Sequence, residues 1–102
     1  MNAFAAPFEV DAEAIATGFG LEASAVPDLM RTGAITGRLY EGVGEDAGQW
    51  LCVFFFRNAR LNLVVDAAGR ALRRSTIDFG DRPLPAALRD PRNPAGNPGA
   101  RR

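Results

Sequence analysis

Along residues 49–57 the apolar side chains alternate so completely that a strand there is hydrophobic on both faces. Trp50, Cys52, Phe54 and Phe56 fall on one side, and Leu51, Val53 and Phe55 on the other. Such a strand must be covered twice, by the chain's own helices or by another protein, because a large open apolar patch marks a binding surface. What covers each face is the question that leads from this pattern toward function.

The flanking patterns supply candidate covers. Phe8, Glu9 and Val10 read as a short strand running into a helix capped by Asp11, with Val10 and Ile15 at the spacing of a hydrophobic staple. Gly18 and Gly20 are expected to end that helix. A second helix starts with Ser24 as its N-cap, holds Pro27 in its first turn, buries Val26, Leu29 and Met30, and stops at Gly33. From Ala34 the period changes to two. Residues 35–40 read as a strand, 42–48 as a polar, glycine-rich loop, and 49–57, 60–66 and 70–78 as three further strands. With Asn58 and Ala59 as a two-residue turn, Phe56 faces Leu61, Phe54 faces Leu63 and Cys52 faces Val65. The opposite side then pairs Val53 with Val64 and Phe55 with Asn62. Gly69 is expected to be left-handed in the next turn, and two registers of the last strand are open. In residues 84–89, Leu84 and Leu88 lie one helical turn apart, a candidate cover for the second sheet face. Residues 90–102, rich in Pro, Gly, Asn and Arg, read as a disordered tail.

The expected architecture is an α+β domain over residues 8–89, with two short N-terminal helices packed on a four-stranded, mostly antiparallel sheet and a short C-terminal helical segment. At 102 residues the chain has room for one core.

Composition removes several kinds of chemistry. The chain has no His, so Ser-His-Asp and Cys-His machinery and ordinary zinc sites cannot be built within one copy. All 12 basic residues are Arg, as a GC-rich genome's codon bias would give. The single cysteine, Cys52, cannot form an internal disulfide and sits in an apolar strand as a small hydrophobe. The N-terminus lacks a signal-peptide pattern, and no window is apolar enough to cross a membrane, so a reducing cytoplasm is the expected location. Net charge is zero but uneven. Residues 1–50 carry eight acids against Arg31 and Arg38, whereas residues 51–102 carry ten Arg against four acids. That asymmetry either steers an anionic partner or lets two halves, or two copies, attract each other.

Five constellations are weighed for chemistry. The helix pair has helix-turn-helix spacing, with Ile15, Ala16, Gly20, Val26 and Leu29 at the crossing, but residues 24–32 offer only Arg31 beside Asp28 to read a base. Nucleic acid is therefore a disfavoured partner. Arg73, Arg74, Ser75 and Asp78, with Arg70, Arg82 and Arg89 nearby, form a candidate anion-binding group. Its plain alternative is a solvated sheet face with Arg–Asp pairs. Glu41, Glu45 and Asp46 surround a glycine-rich loop without the alternation of a calcium loop, and Asp78 with Asp81 is a carboxylate pair lacking a nucleophile. Gly42-Val43-Gly44 is too short to cradle a nucleotide. No cofactor or metal site is expected.

The loop at residues 42–48, the run Val64-Val65-Asp66-Ala67-Ala68-Gly69-Arg70 and the block Arg74-Ser75-Thr76-Ile77-Asp78-Phe79-Gly80-Asp81-Arg82-Pro83-Leu84-Pro85 together resemble a family of small bacterial proteins known as a domain of unknown function, number 6522. The resemblance spans about residues 8–88 and implies a single domain without implying any catalytic residue. The function expected from these readings is a non-enzymatic interaction or accessory module, homodimeric through the face formed by Leu51, Val53, Phe55 and Val64. The alternatives are a DNA-binding regulator and a domain for a small anionic ligand.

Overall fold

The structure, a computed structural model, describes residues 10–93. The strand expected at residues 8–10 falls outside them except for Val10. Helix α1, Ala12–Phe19, begins where Asp11 turns its carboxylate back onto the Glu13 N–H at 2.9 Å. It ends at Gly20, whose φ of +69° lets its N–H return to the Ala16 carbonyl. Val10 and Ile15 are buried in one core, as a staple requires. Gly18 does not end the helix but sits inside it, where a Cβ would lie 2.5 Å from Leu61 Cδ1. Its missing side chain brings α1 down onto the sheet.

The second helix begins differently from expectation. A 3-10 turn over Ala23–Ala25 runs directly into α2, Val26–Arg31, and Ser24 is exposed within that turn instead of capping the helix. The turn itself presents its carbonyls to the incoming N–H groups, with Val26 donating to Ala23, so no side-chain cap is required. Pro27 occupies the first turn.

Strands β1 (Ile35–Glu41), β2 (Gln49–Phe56), β3 (Ala59–Asp66) and β4 (Ala71–Asp78) form one antiparallel sheet in the order β1-β2-β3-β4. With the helices this is the expected α+β class. The β2–β3 turn is Arg57-Asn58, one residue earlier than Asn58-Ala59, and the register shifts by two: Phe56 faces Ala59, Phe54 faces Leu61, and Cys52 faces Leu63. Val53 accordingly faces Asn62, Leu51 faces Val64, and Phe55 faces Arg60. Arg57 accepts the turn with a φ of +54°, and small Ala59 opposite Phe56 leaves room for Phe19, whose ring centroid is 5.6 Å from that of Phe56. A shift of two leaves every side chain on its original face, which is why the expected face memberships survive the correction. The open register of β4 resolves with a bulge: Val64 pairs with Arg73 and Val65 with Ala71, leaving Leu72 out of step. Gly69 is left-handed, with φ +87°.

One face of the sheet is covered by α1 and α2, and Val10, Ile15, Val26, Ile35, Cys52, Phe54, Leu61, Leu63 and Val65 form a continuous apolar core there. The other face is covered by residues 84–93. Leu84 is buried ahead of a short helix, α3 (Ala86–Arg89), and the chain continues through Asn93 in contact with the sheet. Beyond the expected boundary at residue 89, the carbonyls of Asp90, Pro91 and Asn93 accept hydrogen bonds from Arg60.

Candidate functional site

β3 is a central strand, paired on both edges, yet alternate positions along it are polar: Arg60 and Asn62 share one face with Val64. Both are fully buried, so each must find hydrogen-bond partners inside the protein. Arg60 Nε donates to Asn62 Oδ1 at 2.9 Å. Its Nη1 donates to the carbonyls of Leu88 at 3.2 Å and Asp90 at 3.1 Å, and its Nη2 to those of Pro91 at 3.4 Å and Asn93. The guanidinium also lies 6.0 Å from the centroid of the Phe55 ring. Asn62 Nδ2 continues the network to Ser75 Oγ at 3.3 Å.

This arrangement explains how irregular chain can lie on a sheet. An extended or loosely turned segment has no internal ladder to satisfy its carbonyls once water is displaced. One planar fork with five N–H groups supplies donors to four carbonyls from residues 88–93. In return the carbonyl dipoles solvate a cation with no contacting carboxylate among the described residues. Burial pulls the Arg60 pKa down, and the Asp90 charge acts against that pull. Asp90 itself pairs with Arg92 through Oδ1 at 3.2 Å, and hydrogen bonding to Arg92 holds its carboxyl below the ordinary range.

The covering segment decides the fate of the expected apolar interface. Val53 is fully buried and Val64 is 6% exposed, while Leu51 and Phe55 are half-buried. Phe55 lies beside Arg89 and Pro91 of the cover. The face is therefore largely claimed by the chain's own C-terminal segment. What stays partly open is the row farther along the strands, Tyr40, Leu51 and Arg73 around a nearly buried Val64, one residue from each strand in register. These four line a cleft of about 170 Å³ together with Glu41, Gly42, Asp46, Gln49 and Trp50.

The expected anion-binding group is divided by the sheet. Arg73 and Ser75 point to the strap-covered face and Arg74 and Asp78 to the helix-covered face, since neighbours along a strand alternate. Arg73 Nη2 reaches Gln49 Oε1 at 3.3 Å, Ser75 accepts from Asn62, and Asp78 Oδ1 accepts the Gly80 N–H at 2.8 Å in a turn. The four side chains do not converge on one point.

The remaining candidates are also accounted for locally. Cys52 is fully buried, and burial pushes its thiol up to about 12, the opposite of an activated nucleophile. On the exposed side of α2, Arg31 Nη2 binds Asp28 Oδ1 at 2.5 Å, which neutralises the one cation available to read nucleic acid there. Among the described residues no three His, Cys, Asp or Glu side chains are placed to hold a metal ion, and no helix is long and apolar enough to cross a membrane.

A family model matches residues 1–85, nearly the whole folded unit. The chain belongs to the family of unknown function DUF6522. The match ends within the covering segment: Leu84 is inside it, whereas α3 and the carbonyls that cage Arg60 follow it. No match was found among curated proteins or among solved structures. Membership in DUF6522 thus brings no activity with it.

Arg60 is the residue that sequence reading missed. Its signal was present as two polar residues, Arg60 and Asn62, at alternate positions inside an apolar central strand, followed downstream by a proline-rich segment with no ladder of its own.

Proposed function

We propose that this DUF6522 domain is a non-enzymatic interaction module that pairs with a second copy of itself through the open row Tyr40, Leu51, Val64 and Arg73. The observation that carries this reading is the charge order around the row. Asp46 flanks it on the side of the β1–β2 loop, and Arg73 flanks it on β4. Three strand spacings, roughly 14 Å, separate the outer strands. A two-fold axis running along the strand direction between Leu51 and Val64 sets Arg73 of each copy against Asp46 of the other. The opposite charges of the two halves of the sequence favour the same pairing.

Sedimentation velocity over a concentration series tests it. The expected result is a monomer–dimer equilibrium in the micromolar range or tighter, abolished by Leu51→Asp. Arg73→Glu is expected to weaken association, and adding Asp46→Arg to restore it. A monomer at every concentration, or a dimer indifferent to Leu51→Asp, overturns the reading.

A further inference from the structure

Beside the covering segment the same sheet face holds a second cleft, of about 390 Å³. It is lined by Thr36, Gly37 and Arg38 of β1, Phe55 of β2, and Arg89 and Pro91 of the cover. Among the described residues, two guanidinium side chains line this cleft and no carboxylate does. The buried Arg60 adds a third positive charge behind the Phe55 ring, and the nearby Asp90 carboxylate is engaged by Arg92. Arg89 is partly fixed in advance: its Nε donates to the Leu84 carbonyl at 2.8 Å, which orients the planar fork while its terminal nitrogens have no hydrogen-bond partner among the described residues. Thr36 brings a hydroxyl, Gly37 only backbone, and Phe55 a half-buried aromatic wall. The volume suits a compact small molecule.

We propose that this cleft binds a small organic anion, with its oxyanion group between Arg38 and Arg89 and a flat apolar body against Phe55. Planar guanidinium groups favour carboxylate and phosphate oxygens alike, and the aromatic wall favours a ring over a bare ion. The site is separate from Arg73, Arg74, Ser75 and Asp78, and it does not depend on self-association.

Isothermal titration of the full chain with phenyl phosphate, benzoate, inorganic phosphate and benzyl alcohol tests the assignment. Phenyl phosphate or benzoate is expected to saturate, the stronger of the two naming the oxyanion. Inorganic phosphate is expected to bind about tenfold or more weakly, and benzyl alcohol not measurably. Arg38→Ala, at an exposed position on an edge strand, is expected to weaken binding by about tenfold or more, and Arg38→Lys to restore part of it. Arg73→Ala, Arg74→Ala and the Leu51→Asp variant are expected to bind like the parent chain. Absence of saturation with every anion, equal binding of benzyl alcohol, or equal loss in Arg74→Ala overturns the proposal.

Discussion

The two faces of this sheet are closed by different physics. On one, helices α1 and α2 bring most of their backbone hydrogen bonds with them, the Gly18 carbonyl accepting in addition from Thr76 Oγ1 at 3.0 Å, and the contact is a conventional core of Ile15, Val26, Phe54, Leu61 and Leu63. On the other, a short helix and an irregular segment bring unsatisfied carbonyls toward the sheet, and the sheet answers with a buried guanidinium. A helix carries its hydrogen bonds with it, whereas a strap must be given them. The helix-covered face therefore depends on volume and shape, and the strap-covered face on the donor geometry of one residue.

The largest expected effect lies on the helix side and calibrates the comparison. Phe54→Ala removes a fully buried ring between Gly37 and Leu61 and is expected to cost about 3–5 kcal/mol in urea unfolding. Arg60→Met tests the other face at similar volume. It leaves four carbonyls and Asn62 Oδ1 without their donor, for a loss of about 3 kcal/mol or more. If Arg60→Met unfolds at the parent's urea midpoint, water satisfies those carbonyls and the contrast between the faces collapses. A stop codon after Leu88, placed in both backgrounds, removes the strap carbonyls of residues 90–93. Its cost in the Arg60→Met chain is expected to fall well below its cost in the parent, because the carbonyls of residues 90–93 act through that guanidinium.

A smaller effect is expected where helix meets sheet. Gly18→Ala drives a methyl into Leu61 and is expected to destabilise by about 1–3 kcal/mol, against a gain of at most about 1 kcal/mol in helix propensity. A net gain in thermal midpoint would mean that α1 lifts off without penalty.

The last effect is absent at neutral pH and confined to alkali. Cys52 has a folded-state pKa of about 12, above its unfolded value of roughly 8.5, so the native state holds the proton more tightly. The associated stability is complete below the unfolded pKa and declines as pH rises through the window toward the folded one, by at most about 1.4 kcal/mol per pH unit. Cys52→Val is expected to lose less stability than the parent between about pH 9 and 11, and identical slopes in the two chains would refute this origin.

Much of the helix-covered face was legible in the sequence because its signals are local. Asp11 and Gly20 bracket α1, Pro27 opens α2, and the alternation of Trp50, Cys52, Phe54 and Phe56 assigns a face regardless of the partner strand. Ser24 misled because its residue type suits a cap, while a preceding 3-10 turn made the cap unnecessary. The hairpin turn was misplaced by one residue because Asn58 is a good turn former in either position. What decides is the fit of Phe56 against Ala59 and Phe19, a contact among three separate elements.

The strap-covered face was hardly legible at all. Residues 90–93 have the composition of a loose tail, and nothing local to them announces that Arg60, some thirty residues earlier, will bind their carbonyls. Leu51, Val53, Phe55 and Val64 were correctly placed on one face, but their exposure was not a property of their own strands. Likewise the adjacency of Arg73, Arg74 and Ser75 in sequence suggested a cluster that the pleat of β4 separates. The two arginines that do share a cleft, Arg38 and Arg89, lie fifty-one residues apart in the chain.

By itself, then, the sequence determined which segments become helix or strand and which side chains share a face, because period, capping and turn chemistry act over a few residues. Tertiary structure alone decided the register, the cover over the second face and the burial of Arg60. Each of those depends on hydrogen bonds or packing between residues distant in sequence, and a pattern of period two is blind to a shift of two.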